Sequence, residues 1–262
     1  MDGKTVVKFL KSWAHISKYG TMPQDFDSPM LLDHKNPYAP SAKEIDDVVR
    51  FTFELTLKNV KKLKERAKSE STRSDLHLST FVVTYTYVLT CVVKTRGGDA
   101  NQPVPFVYNA DFRERLDPPV PMTYFGNCVM PINFSGYKVE TFLGEDGFVN
   151  GVKILSDWIS DLSSRGAESI WELHEEGLKV MELGTPKLAV IGSNKCGIYG
   201  SDFGWGRPVH TENISVSENL LISMSETWDV EIGICLKKCE MDVFNLYFKM
   251  DCKPEKNDFF RI

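Results

Sequence analysis

A nine-residue segment, GSDFGWGRP at residues 200–208, constrains the fold more than any other stretch of the chain. Its three glycines accept positive φ angles and let another backbone come close, which predicts a bent or bulged chain. The rings of Phe203 and Trp205 are expected to pack beside this bend because they offer large apolar area. Asp202 needs a partner if it is buried, and Arg207 is one local candidate. A rigid turn that braces the fold is the first interpretation, and a catalytic role for Asp202 is the alternative.

Length, composition and charge bound the class of protein. The 262 residues, of which 42% are hydrophobic, suffice for one large or two modest domains with a sizeable core. The net charge of −5 argues against nucleic acid as the main partner. The longest apolar run is far shorter than the roughly 20 residues that a membrane span requires, and the first residues lack the apolar core of a signal peptide. We therefore expect a cytoplasmic protein that binds neither nucleic acid nor membrane.

The cysteines do not form a metal-binding pattern. None of the six belongs to a Cys-x-x-Cys pair, and no histidine cluster completes a zinc set beside the CLKKC segment at 235–239. We expect six reduced thiols and no metal site.

Helical and strand-like hydrophobic patterns alternate along the chain. The predicted helices span residues 4–17, 57–70, 79–98, 145–162, 167–181 and 240–248. The predicted strands span 48–56 and 104–112, and shorter strand-like runs occur at 187–193, 196–206, 220–227 and 230–238. Segment 79–98 is rich in β-branched residues, so a strand is an alternative there, but its length favours a buried helix. Prolines predict a linker at 21–47 and a loop at 113–134. This order indicates an α/β or mixed α+β architecture in two layers.

A basic segment precedes a predicted helix start. Lysines and an arginine crowd residues 61–68, and Ser79 and Thr80 are good N-cap residues for the helix that follows. A helix N-terminus beside basic groups fits a phosphate-bearing cofactor. A solvated helix face is the alternative explanation for the charge.

Histidine would be the most common general base, but the surroundings of the histidines single none of them out. The five are His15, His34, His77, His174 and His210. The chain also lacks a P-loop, a GxSxG elbow and an HExxH motif.

Several segments together resemble the BAHD acyltransferases of plants. DFGWG at 202–206 is similar to that family's second signature, and ADFRERLDPPVPMTYFGNC at 110–128 to its arginine and double-proline segment. The YFGNC form, with SDFGWGRP, GEDGFVNGVKILSD and LKKCEMDVF, resembles the clade that malonylates anthocyanin and other phenolic glucosides. The resemblance covers nearly the whole chain.

This resemblance implies a chloramphenicol-acetyltransferase-like BAHD fold with an incomplete first domain and most of the second. Residues 1–47 would be a remnant of the first domain with the crossover linker, and 48–262 the second acyltransferase domain. A segment near 200–215 would return to the first domain.

The resemblance also implies a reaction. A monomer would transfer malonyl from malonyl-CoA to a sugar hydroxyl of a phenolic or anthocyanin/flavonoid glucoside, as an acyl-CoA-dependent O-acyltransferase without a metal. In the family, the histidine of an HxxxD signature takes the proton of the acceptor hydroxyl, whose oxygen attacks the thioester carbonyl and displaces CoA.

Asp2 and Gly3 match the end of that signature, but its histidine would fall ahead of Met1. None of the five histidines is followed four residues later by an aspartate. We therefore expect an N-terminally truncated member without its catalytic histidine. The alternative function is that of a non-catalytic truncated paralogue or gene-model fragment, which at most binds CoA or an intact homologue.

The resemblance assigns roles to individual residues. Of the two catalytic-site candidates, Asp2 would orient the site by pairing with Arg113 or Arg115, and Asp202 would support the structure. Ser79 and Thr80 would help to hold CoA, and Asn127 would lie beside the channel. The expected structural residues are Arg113, Arg115, Phe203, Gly204, Trp205 and Gly206.

Overall fold

A computed structural model describes most of the chain. The described residues are 2–24, 47–104, 106–121, 124–133, 136–165, 169, 172–173, 175, 188–190, 197–209, 211, 219–224 and 229–251. The helices are α1 (Gly3–Tyr19), α2 (Leu57–Glu70), α3 (Thr80–Arg96), α4 (Glu140–Leu143), α5 (Gly147–Ser164) and α6 (Lys238–Asp251). The strands are β1 (Val48–Leu55), β2 (Phe106–Asp111), β3 (Val129–Asn133), β4 (Leu188–Val190), β5 (Asn219–Met224) and β6 (Val230–Lys237).

The described strands form one mixed sheet of six in the order β1-β6-β5-β4-β2-β3. The pairs β1–β6, β6–β5 and β2–β3 are antiparallel, whereas β4 pairs in parallel with both β5 and β2. Helices pack against this sheet, which confirms the predicted mixed α/β class.

Strand β3 lies inside the segment predicted to be a loop, so that prediction was wrong at its end. β3 pairs antiparallel with β2, and Pro131 stands opposite Asn109. A proline lacks the N–H that a central strand must donate, but β3 is at the edge of the sheet, where proline is tolerated.

Helix α3 forms the centre of the core. Every residue from Val82 to Val93 is buried, so this helix has no polar face, as expected for a helix enclosed on all sides. The Ser79 hydroxyl accepts a hydrogen bond from the Val82 N–H and caps its start. The Thr90 hydroxyl donates to the Thr86 carbonyl at 2.8 Å. Burial and local capping thus outweigh the strand preference of the β-branched residues, which confirms the helical prediction.

An aromatic cluster fastens α6 to β1 and α3. The Phe53 ring lies 4.8 Å from that of Phe248 and 5.1 Å from that of Phe244. Tyr87 of α3 lies 5.4 Å from Phe248 and donates its hydroxyl to that residue's carbonyl oxygen. The helix predicted at 240–248 is therefore present and extends from 238 to 251.

Some predicted elements lie mostly outside the described residues. These are the linker at 21–47 and the helix at 167–181. Within the described part of the chain, no helix combines the length and the apolar character needed to cross a membrane.

Candidate functional site

Asp2 joins the start of α1 to the segment around residues 113–128. Its carboxylate accepts the Thr5 N–H at 2.9 Å and the Cys128 N–H at 2.8 Å. Arg113 donates to the same carboxylate at 2.7 Å, and the Asp2 side chain is only 1% exposed. One buried carboxylate therefore caps a helix and fixes two distant parts of the chain.

Arg113 is the arginine that pairs with Asp2. Its guanidinium also donates to the Gly126 carbonyl at 2.8 Å and to the Asp111 carboxylate at 3.1 Å. Thr5 reinforces this junction because its hydroxyl donates to the Gly126 carbonyl at 2.7 Å. Arg115 instead donates to the Asp111 carbonyl at 2.7 Å, so it supports the strand end and not Asp2.

Both members of the buried pair stay charged at neutral pH. Burial raises the pKa of Asp2, but hydrogen bonds from Cys128, Thr5 and Arg113 outweigh it and leave that pKa below its usual value. Burial likewise lowers the pKa of Arg113, and its acidic neighbours, chiefly Asp2, outweigh it and raise the value. These contacts keep the Asp2 carboxylate ionised and fixed at the start of α1, and its lowered pKa disfavours proton uptake.

The neighbouring thiol is not activated either. Burial is the main reason why the pKa of Cys128 lies above its usual value, although Arg113 opposes the effect. A thiol nucleophile needs a lowered pKa. Cys128 therefore contributes packing and a backbone donor.

The loop at 124–128 is tightly built around Gly126. A Cβ atom at this glycine would lie 2.6 Å from the Tyr124 hydroxyl oxygen, a distance that non-bonded atoms do not adopt. The same hydroxyl donates to the Asn127 carbonyl at 2.9 Å. This arrangement leaves the Asn127 residue exposed at the edge of the buried pair.

The DFGWG turn is organised by Asp202. Gly204 and Gly206 adopt φ angles of +105° and +102°, which other residues rarely accept. Their N–H groups donate to one Asp202 oxygen at 2.8 and 3.0 Å, and Lys18 of α1 donates to the other at 2.6 Å. The prediction of Arg207 as the partner was wrong because the cation comes from a helix distant in the sequence.

The two aromatic rings of the turn have different surroundings. Phe203 packs edge to face against Trp13 of α1, with ring centroids 5.3 Å apart. Trp205 is 94% exposed, so the prediction that its ring packs beside the bend was wrong. The strand-like run at 196–206 was also wrong in its described part, which forms a 3₁₀ helix at Ile198–Gly200 followed by this turn. The turn therefore fastens to α1 through one ring and one ion pair.

Asp202→Asn should lower the melting temperature by only about one or two degrees, because Oδ1 can still accept both glycine N–H groups while the exposed ion pair is lost. Asp202→Ala should cost more, since it removes all three contacts. The Lys18 hydrogen bond is the main reason why the pKa of Asp202 is about 2. A carboxyl group whose pKa is lower in the folded than in the unfolded chain stabilises the fold at pH values above its unfolded pKa, which is near 3.9. This stabilisation is lost as the pH falls toward the folded pKa of about 2. Thermal unfolding followed by circular dichroism at pH 7, 4 and 2 measures the melting temperatures of the wild type and of the two variants. Equal melting temperatures for Asp202→Asn and Asp202→Ala at pH 7 would contradict this account.

The predicted CoA-binding residues meet one of the predicted basic residues. Lys64 of α2 donates to the Thr80 hydroxyl at 3.4 Å, next to the Ser79 cap of α3. A helix N-terminus with an adjacent ammonium group is suited to a phosphate group. Within the described part of the chain, Asn127 forms no hydrogen bond with Ser79, Thr80 or Lys64.

A cleft of about 800 Å³ lies between α1 and the DFGWG turn. Lys8, Lys11 and His15 line it from one face of α1, and Arg113 and Arg207 line it from the other side. Sequence reasoning missed this basic face, although lysines at 4, 8, 11 and 18 recur at helical spacing.

The histidines have separate surroundings. The His15 ring lies 4.8 Å from that of Tyr19, and the His77 backbone N–H donates to the Ser156 hydroxyl at 2.7 Å. His34, His174 and His210 lie outside the described residues. Within the described part of the chain, no three metal-ligating side chains form a cluster, and Cys91, Cys128, Cys235 and Cys239 form no disulfide.

Comparison with known protein families matches the sequence of this chain to one of them. The Transferase family model matches residues 1–250. The chain belongs to this family, that of the BAHD acyltransferases.

Three relatives from Arabidopsis thaliana illustrate the similarity. A BAHD acyltransferase is 59% identical over 96% of this chain, and agmatine coumaroyltransferase is 51% identical over 95%. Malonyl-CoA:anthocyanidin 5-O-glucoside-6''-O-malonyltransferase is 39% identical over 95%. This chain spans 63% of the length of each of these three relatives.

Solved structures confirm the BAHD fold. Vinorine synthase superposes with a TM-score of 0.69 at 19% identity, over 92% of this chain and 58% of that one. TRI101 of F. sporotrichioides, in complex with coenzyme A and T-2, gives 0.59 at 16% identity, over 85% of this chain and 52% of that one. The domain boundaries at 47 and 48 stay a prediction.

Proposed function

We propose that this BAHD chain serves acyl-CoA-dependent O-acyl transfer, in which malonyl passes from malonyl-CoA to a sugar hydroxyl of a phenolic or flavonoid glucoside. The observation that carries the proposal is the buried junction of Asp2, Arg113 and Cys128. It unites the residue that matches the end of the HxxxD signature with the YFGNC segment, which are 126 positions apart.

In this reaction the acceptor oxygen bonds to the thioester carbonyl carbon, the carbon–sulfur bond breaks, and the proton of the hydroxyl passes through a base to the departing thiolate. Asp2 is not that base because its carboxylate already accepts three hydrogen bonds from N–H donors. Its role is to hold the start of α1 in place. A general base accelerates such reactions by a factor of about 10²–10⁴, so the rate depends strongly on the group that acts as the base.

The chain supplies groups suited to the CoA moiety. Ser79 and Thr80 stand at the start of α3, and Lys64 adds a positive charge at 3.4 Å from the Thr80 hydroxyl. Phosphates bind favourably at helix N-termini, where N–H groups and the helix dipole point outward.

The malonyl donor is supported by the YFGNC and SDFGWGRP segments and by the relative that is 39% identical. A second candidate is transfer of a coumaroyl group to an amine such as agmatine, favoured by the relative that is 51% identical. The two candidates differ in substrate, because the first transfers a malonyl group to a hydroxyl and the second a coumaroyl group to an amine.

The test is release of free thiol by the purified 262-residue chain. We expect release when malonyl-CoA is combined with a phenolic glucoside, above a control without acceptor and above coumaroyl-CoA combined with agmatine. The reverse order of the two pairs would establish the second candidate. A folded sample that binds CoA but releases no thiol with either pair would contradict the transferase proposal and support a non-catalytic CoA-binding paralogue.

We further propose that the protein acts as a cytoplasmic monomer. This proposal rests on the resemblance and on the composition of the chain.

A further inference from the structure

The cleft between α1 and the DFGWG turn carries an unusual excess of positive charge. Six of its sixteen lining residues are Lys or Arg and one is acidic, although the chain as a whole has a net charge of −5. The basic side chains are Lys4, Lys8, Lys11, Lys18, Arg113 and Arg207. A concave surface lined by one sign of charge concentrates ligands of the opposite sign.

The nearby acids are already engaged with other groups. Asp202 accepts hydrogen bonds from two backbone N–H groups and from the Lys18 ammonium, so few of its lone pairs remain for another donor. Asp111 pairs with Lys4 at 2.6 Å and with Arg113 at 3.1 Å. None of these contacts involves Lys11 or Arg207.

Lys11 and Arg207 form no ion pair with an acid in the described part of the chain. The backbone opposite Lys11 is shaped to receive it. A Cβ atom at Gly200 would lie 3.1 Å from the Lys11 Cε, and one at Gly197 would lie 3.3 Å from its Nζ. These two glycines therefore leave room for the ammonium group beside the turn.

We propose that this cleft binds a phosphorylated small molecule through its phosphate or diphosphate group, with Lys11 and Arg207 as the principal contacts. Arginine offers paired donors to phosphate oxygens, and lysine adds a compact charge. The site is separate from the proposed CoA residues, since Ser79, Thr80, Lys64 and Asn127 are not among the residues that line it. The proposal does not depend on acyl transfer by this chain.

Titration calorimetry of the purified chain with inorganic pyrophosphate tests the proposal. Lys11→Gln and Arg207→Gln should each weaken binding about tenfold, the typical effect of losing one charge-assisted hydrogen bond. Both positions are exposed, so the fold should be retained. Lys237→Gln is the matched control because it removes the same charge from an exposed position at the end of β6, and it should leave the affinity unchanged.

Free CoA distinguishes the two sites. Lys64→Gln should weaken CoA binding and leave pyrophosphate binding intact, and excess CoA should not displace pyrophosphate. Equal pyrophosphate affinity in the wild type, Lys11→Gln and Arg207→Gln would overturn the proposed site. Full displacement of pyrophosphate by CoA would overturn the proposal that the cleft is separate from the CoA site, whatever the thiol-release assay shows.

Discussion

Asp2→Asn is expected to lower the free energy of unfolding by about 3–5 kcal/mol, the range typical of breaking a buried ion pair by removing one partner. The substitution keeps the shape of the side chain but leaves the buried Arg113 guanidinium without its main counter-charge. It also replaces an acceptor of the Cys128 N–H with an amide that can offer only one oxygen. Asp111 retains a contact with Arg113 at 3.1 Å, which places the expected loss toward the lower end.

Urea unfolding at pH 7 measures this loss, and Asp75→Asn is the matched control. Asp75 also pairs with an arginine at 2.7 Å, but its side chain is 68% exposed, so no measurable shift of the midpoint is expected. The depressed pKa of Asp2 predicts that its contribution persists above the unfolded value near 3.9 and is lost only as the pH falls through the lower folded value. Equal midpoints for the two variants at pH 7 would show that the buried pair does not stabilise the junction.

Phe248→Ala is expected to cost about 3–5 kcal/mol because it empties the centre of the aromatic cluster. The Phe248 side chain is 1% exposed and contacts the rings of Phe53, Tyr87 and Phe244. Removing it leaves a cavity between α6, β1 and α3 that the surrounding backbone cannot fully close.

Leu246→Ala provides the control for this change on the same helix. Leu246 is 67% exposed, so its truncation should alter the stability by less than about 0.5 kcal/mol. Guanidinium unfolding monitored by tryptophan fluorescence compares the two variants. A loss of similar size in both would mean that α6 is not packed through its aromatic face.

Local patterns predicted the elements whose signals lie within the element itself. The helix at 57–70 has the predicted ends, and its start is fixed because the Thr56 side-chain oxygen caps the first turn. The length of the segment at 79–98 predicted a buried helix, and the structure buries every residue from Val82 to Val93. Strand β3 was missed because the prolines at 118, 119 and 121 led to a predicted loop that included it. The edge position of β3 makes Pro131 acceptable in the strand.

Contacts between distant segments could be predicted only where the family resemblance supplied them. The pairing of Asp2 with Arg113 or Arg115 came from that resemblance, and the structure selects Arg113. The pairing of Lys18 with Asp202 spans 184 positions, and no local pattern indicates it. The bend directs the Phe203 ring toward α1 and leaves the Trp205 ring exposed.

Transfer of the acyl group itself tests the proposed function most directly. The 262-residue chain would be incubated with ¹³C-labelled malonyl-CoA and a phenolic glucoside, and the products analysed by mass spectrometry. Our account predicts a labelled malonyl ester of the glucoside that forms only with active protein and only when the acceptor is present. A folded, CoA-binding sample that leaves the glucoside unlabelled would contradict it.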